Sequence, residues 1–233
     1  MVIAENVKSV KERIAAAAER CGRSADEICL VAATKMNSAE RLRQAIAAGV
    51  TVCGENRVQE LVEKWEQGAY EGAALHFIGH LQKNKVKYVV GRCELIQSVD
   101  SIELLSAINA QAEKLGICQQ VLLEVNIASE ESKSGFSSSE LPVVLASAGN
   151  FTHVFIRGLM AIPPISTIKG QNRPYFAAMK QLFIDIQTKK YDNVSMDFLS
   201  MGMSGDFEDA IAEGSNMVRV GSAIFGARDY SKT

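Results

Sequence analysis

Two features of the sequence have the residue types to do chemistry together. One is Lys35, which closes the first long apolar run, residues 28–33. The other is a pair of Gly/Ser turns: Ser200, Met201, Gly202, Met203 and Ser204, and then, past a second apolar stretch, Gly221 and Ser222. Glycine lets the backbone approach an anion, serine hydroxyls donate to it, and the N–H groups opening a helix point at it. A lysine at the end of a buried strand plus a phosphate cradle suits pyridoxal phosphate (PLP) held as a Schiff base. The same pair would serve a barrel enzyme forming an imine with a sugar phosphate, so these two features alone leave the ligand open.

A free lysine has a pKa of about 10.4, so at neutral pH little of it is nucleophilic. Burial beside another cation lowers that value, and Arg219, at the end of the last strand-like run, could be the cation. It could instead face the pyridine nitrogen, where a permanent positive charge keeps that nitrogen unprotonated and weakens the ring as an electron sink. An ion pair with a neighbouring carboxylate is its plainer role. Asn56 could hydrogen-bond a ring hydroxyl or simply cap a helix. His80 could line the pocket, act as acid or base, or be structural. Met160, Met201 and Met203 read as pocket wall or core.

These residues need a scaffold that gathers strand ends. Apolar positions at Val7, Val10, Ile14, Ala17 and Cys21 give a first helix, with Gly22 as its stop. Beyond it, strand-like runs fall at 28–33, 51–54, 75–78, 95–99, 120–127, 154–160, 196–201 and 217–220. Helical patterns lie between them at 37–48, 57–67, 84–90, 102–115, 139–148 and 173–189, with a short one before the last strand. Asn37 with Glu40, and Asp100, read as helix caps. About eight strands alternating with helices predict an α/β fold, a single-domain (β/α)8 TIM barrel over residues 1–233 with one added N-terminal helix. A doubly wound open sheet would need a glycine fingerprint after the first strand, and Thr34, Lys35 and Met36 are not that. In a barrel the strand C-terminal ends face the mouth, which gathers Lys35, Glu55, Asn56, Gly79, His80, Ser98, Glu124, Asn126, Met160, Ser200, Met201, Arg219 and Gly221. The loops at 128–138 and 163–172 follow strands and could be lids or ordinary loops.

The 233 residues, 47% hydrophobic, suffice for a buried core, and the net charge of -2 gives no reason to expect a nucleic-acid or membrane surface. Five well-separated cysteines without a Cys-x-x-Cys pair read as reduced thiols in a cytoplasmic protein. Three histidines without ligand spacing predict no metal site.

Taken in order, several segments resemble one family. They are 33–35, 54–60, 76–85, 132–135, 157–163, 199–206 and 218–226, and the family is that of the YggS/PROSC PLP homeostasis proteins. The resemblance implies a barrel similar to the N-terminal domain of alanine racemase, with Lys35 as the Schiff-base lysine. It implies phosphate contacts from the turns around Ser200–Ser204 and Gly221–Ser222, and Arg219 near the ring nitrogen. It also implies a role in vitamin B6 and amino-acid homeostasis without an established catalytic activity. Two-base racemases need a second acid/base opposite the lysine. Tyr70, Tyr88, Tyr175, Tyr191 and Tyr230 fall at no predicted strand end, and the chain ends about where the barrel does. The expectation is therefore a monomeric PLP carrier that turns over nothing efficiently, with PLP-dependent apoenzymes as candidate recipients. The competing expectation is a weak racemase or lyase using His80 or a water as its second base.

Overall fold

The computed structural model describes residues 2–130 and 133–226; Ser132, in one of the motifs above, and Tyr230 lie outside them. Its strands are β1 (Cys29–Ala33), β2 (Val52–Glu55), β3 (Ala74–Phe77), β4 (Leu95–Val99), β5 (Gln119–Glu124), β6 (Val154–Met160), β7 (Val194–Met203) and β8 (Met217–Val220). Each pairs in parallel with its sequence neighbour, and β8 returns to β1 with Val31 opposite Arg219, so the eight close into a barrel. The helices are α1 (Val2–Arg20), α2 (Ala39–Ala47), α3 (Val58–Glu66), α4 (Val86–Val89), α5 (Ile102–Leu115), α6 (Leu141–Ala146), α7 (Arg173–Gln187), α8 (Phe207–Ala212) and α9 (Ser222–Phe225).

The strands carry apolar residues on both faces because both are covered. Val31, Ile78, Leu95, Leu122, Met160 and Met217 fill the lumen. Alternate residues such as Ala32, Cys53, Phe77, Ile96 and Leu123 pack outward with the helices in a larger cluster. The N-terminal helix lies across the seam between the ends of the barrel. Its stripe of Ile3, Val7, Val10, Ile14, Ala17 and Ala18 is buried, against α2, α8 and α9. Asn6 Nδ2 donates to Ile224 O at 2.9 Å, and Arg13 pairs with Glu208 at 2.8 Å while its guanidinium sits 4.6 Å from the Phe207 ring centre.

Several local expectations shift. Ser38, not Asn37, caps α2, its Oγ accepting Arg41 N–H. The Asn37 amide is engaged elsewhere: it donates to Lys35 O and accepts from Arg41 Nε, both at 3.0 Å. Ser101, not Asp100, caps α5, because the Asp100 carboxylate pairs with His80 and accepts the Ser101 hydroxyl. The helix expected over 84–90 is a 3-10 turn, Lys83–Lys85, followed by the single turn of α4. Helix α6 starts at Leu141 with Pro142 in its first turn, where a missing N–H costs nothing. Among the described residues no helix is long and apolar enough to cross a membrane.

Candidate functional site

The ends of β1 and β8 adjoin, so Lys35 and Arg219 reach one cleft at the barrel mouth. Its volume is about 390 Å³, and Lys35, Asn56, Met203, Ser204, Arg219, Gly221 and Ser222 are on its wall. These residues come from both chain halves, and barrel closure alone brings them together.

The Gly/Ser turns meet at one atom. Ser204 Oγ accepts the backbone N–H groups of Gly221 at 3.1 Å and Ala223 at 3.3 Å. Two amides converging on one oxygen at the start of α9 present the donor pattern an anionic oxygen prefers. The turn after β7 is held by Asp206, whose carboxylate accepts Met203 N–H and Asn172 Nδ2, each at 2.8 Å. Gly202 sits in that turn at φ +92°, and a Cβ there would lie 2.5 Å from Ala210 Cβ. Only glycine fits such a turn against α8.

Arg219 is 4% exposed. Nη1 donates to Ser200 Oγ at 2.6 Å and Nη2 to Ala161 O at 2.9 Å. Burial lowers its pKa to about 10, against the pull of Glu124 and Asp206, so it stays charged at neutral pH. The chain of bonds continues downward. Ser200 Oγ donates to Gln97 Oε1 at 2.6 Å, and Gln97 Nε2 approaches His76 Nδ1 at 2.9 Å. The amide donates there, which leaves His76 the neutral Nε2–H tautomer, in keeping with burial pushing its pKa down to about 4. Across the mouth, Glu124 ends β5. Burial first, and Asp100 second, raise its carboxyl to about 7, and Arg219 opposes them.

Asn56 tests whether the wall suits a polar aromatic ligand. Its Oδ1 is the buried side-chain polar atom, among the described residues, that has no hydrogen-bond partner. Such a group costs about 1–3 kcal/mol unless something meets it, and amide O and N can exchange places. A lysine, an unmet amide, a protonated guanidinium and an anion-type turn on one wall fit PLP's aldehyde, ring hydroxyl, ring nitrogen and phosphate.

Five expected site residues are not on this wall. The side chain of His80 is 61% exposed and turned to Asp100, with Nδ1 3.1 Å from Oδ2. Ser200 is fully buried, one bond behind Arg219. Met160 fills the lumen, whereas Met201 packs outward with the helices, and Gly202 shapes the turn. The register shift explains the methionines: residues 201 and 203 would share a face in a regular strand, but pairing of β7 with β8 shifts between Ser200 and Met203, so Met201 faces away and Met203 faces the cleft. Glu55, expected at the mouth, turns away into a buried pair with Lys64. Sequence reading missed Asn37, Ile162 and Phe225 on the wall; each follows a strand or turn residue already singled out, and that adjacency was the available signal. No group of His, Cys, Asp and Glu able to hold a metal occurs among the described residues.

Comparison with known proteins matches residues 6–229 to the family "Alanine racemase, N-terminal domain". The "Pyridoxal phosphate homeostasis protein" of Aquifex aeolicus is 42% identical over 226 residues, covering 97% of this chain and 98% of that protein. Its counterpart of the same name in Escherichia coli K12 is 41% identical, covering 99% of this chain and 98% of that protein. The structure of PipY from Synechococcus elongatus PCC7942 with PLP bound superposes with a TM-score of 0.83 at 31% identity, covering 96% of this chain and all of that one.

Proposed function

The chain belongs to the family of pyridoxal phosphate homeostasis proteins, and from that premise we propose that it binds PLP reversibly as a Schiff base on Lys35, as a cytoplasmic carrier without efficient turnover. The observation that carries this reading is the shared cleft wall of Lys35, Asn56, Arg219 and the Ser204–Gly221 turn. When bound, PLP supplies an aldehyde that condenses with an amine and a ring that can withdraw electrons from it. Lys35 would be the residue that supplies that amine. The turn N–H groups and the Ser204 and Ser222 hydroxyls would hold the phosphate, the Asn56 amide would take the ring hydroxyl, and Arg219 would serve the ring nitrogen.

Two features support the absence of efficient turnover. Arg219 keeps its proton and is fixed by Ser200 and Ala161, so it would disfavour a proton on a ring nitrogen held beside it. Among the described residues that line the wall, the ionisable ones are Lys35 and Arg219, and both are cations.

The test is the visible spectrum of wild type and Lys35→Ala with PLP, followed by borohydride reduction and peptide mapping. The expected result is a yellow band and a reduced adduct on Lys35 in wild type only. A colourless, unlabelled wild type would overturn the reading. Loss of α-deuterium from amino acids faster than with free PLP would overturn the claim about turnover.

A further inference from the structure

We propose that a buried charge triad, Glu55, Lys64 and Glu60, is the positioning device of Lys35: it clamps the two residues on either side of that lysine and so sets where its amine projects. The proposal rests on the Schiff-base reading above and deepens it.

The triad sits behind the strand ends, outside the cleft. Lys64 Nζ lies 2.7 Å from Glu55 Oε2 and 2.8 Å from Glu60 Oε2. Glu55 is fully buried and Lys64 6% exposed. Burying three charges is expensive, and a simple apolar filling would often be as stable or more so. What the charges do instead is reach the backbone. Lys64 Nζ donates to Thr34 O at 3.1 Å, and Thr34 Oγ1 donates to Glu55 Oε2 at 2.9 Å. On the other side, Met36 N–H donates to Glu60 Oε2 at 2.7 Å. Residues 34 and 36 are thus both tied to one charged cluster, and Lys35 lies between them.

The backbone confirms that something holds this turn. Met36 has φ +61°, the left-handed region, which costs a residue with a side chain about 1 kcal/mol or more and persists where surrounding bonds impose it. The bond imposing it comes from Glu60, a charged acceptor and therefore a strong one. Burial opposes the charge of Glu60, yet its bonds to Lys64 and Met36 outweigh burial and keep its carboxyl below the ordinary value. Tyr70 OH, 3.3 Å from Glu55 Oε2, completes the shell of the buried carboxylate. Glu60 is the accessible edge of the cluster, its side chain 19% exposed, so it can be altered while the Glu55–Lys64 pair stays intact.

The experiment compares wild type, Glu60→Ala and Glu60→Gln by three readouts: thermal unfolding, hydrogen exchange of the Met36 amide without ligand, and borohydride labelling of Lys35 across a PLP titration. Glu60→Ala is expected to remain folded, to exchange the Met36 amide about tenfold faster, and to need about five- to tenfold more PLP for half-labelling, as loss of a charged hydrogen bond implies. Glu60→Gln, which can still accept from Met36 but without the charge, restores both in part. If Glu60→Ala does not fold, Thr34→Val, which removes the hydroxyl bonds to Glu55 Oε2 and Gly54 O and leaves Lys64 and Glu60 in place, is read in the same way. A folded variant whose half-labelling concentration equals that of wild type overturns the proposal even if its melting temperature falls, because the triad would then be structural only. A wild type that takes no label on Lys35 overturns the Schiff-base reading itself, which separates the two failures.

Discussion

Replacing Glu124 with glutamine is expected to stabilise the protein in a strictly pH-dependent way. The folded state raises the Glu124 carboxyl from 4.5 to about 7 by burial and the nearby Asp100. At about 1.36 kcal/mol per pH unit, this amounts to about 3 kcal/mol. A group whose pKa is raised on folding contributes stability below its unfolded value and loses it as pH rises through the folded one, so the loss runs from pH 4.5 to about 7. Glutamine mimics the protonated acid and suffers no such loss. His76 runs in the opposite direction. Burial lowers it from 6.5 to about 4, so its contribution is lost as pH falls through that interval. The two slopes cancel between pH 4.5 and 6.5, and wild type draws a nearly flat profile from these groups there. The informative quantity is therefore the difference between Glu124→Gln and wild type, from urea midpoints at each pH with a common slope. It is expected to be near zero at pH 4.5, to climb, and to level off above pH 7 at about 3 kcal/mol in favour of glutamine. The variant alone then gains stability with rising pH, exposing His76. A difference constant from pH 4 to 8 would refute the reasoning.

Three further outcomes follow from the geometry. Gln97→Leu removes the acceptor of the buried Ser200 hydroxyl proton and the donor to His76 Nδ1, and is expected to cost about 2–4 kcal/mol by urea unfolding; a loss under about 0.5 kcal/mol would show the chain of bonds to be idle. Gly202→Ala puts a Cβ 2.5 Å from Ala210 Cβ at φ +92°, and a loss of about 3 kcal/mol in chemical unfolding is expected. Cys21 and Cys118 are exposed, whereas burial raises the Cys29 thiol to about 11 and the Cys53 thiol to about 12, and raises Cys93 too. A thiol reagent at pH 8 should therefore modify Cys21 and Cys118 in the native protein and the other three only on unfolding, as mass spectrometry of peptides will show.

The barrel was legible because each strand is covered on both faces and so reads as an apolar run, and because turn residues punctuate the repeat. The placement of Lys35 and Arg219 on one cleft was legible because strand C-terminal ends face the barrel mouth and closure sets the last strand beside the first. The methionines were not. Which of Met201 and Met203 faces the cleft depends on the register shift between Ser200 and Met203, and a strand's parity leaves no mark on its sequence when both faces are apolar. The caps failed through competition: Asn37 and Asp100 have the right chemistry, but other partners take their polar atoms, the nearby Lys35 O and Arg41 in one case and the distant His80 in the other. Glu55 was misplaced for a similar reason, since its buried partner Lys64 is nine residues away on a helix and nothing local announces the pair.

The pairing of β1 with β8, Val31 opposite Arg219, has a consequence for how the protein is made. Lys35 leaves the ribosome ahead of Arg219 and the Gly221 turn, which follow about 10–40 s later at bacterial or eukaryotic speeds. During that interval α1 has neither α8 nor α9 to cover its apolar stripe, and the lysine has no anion turn beside it. A chain shortened before β8 would carry Lys35 without the turn that adjoins it in the closed barrel. The order of the strands thus makes the cleft a late feature of folding, because its two sides are the first and last strands of the barrel.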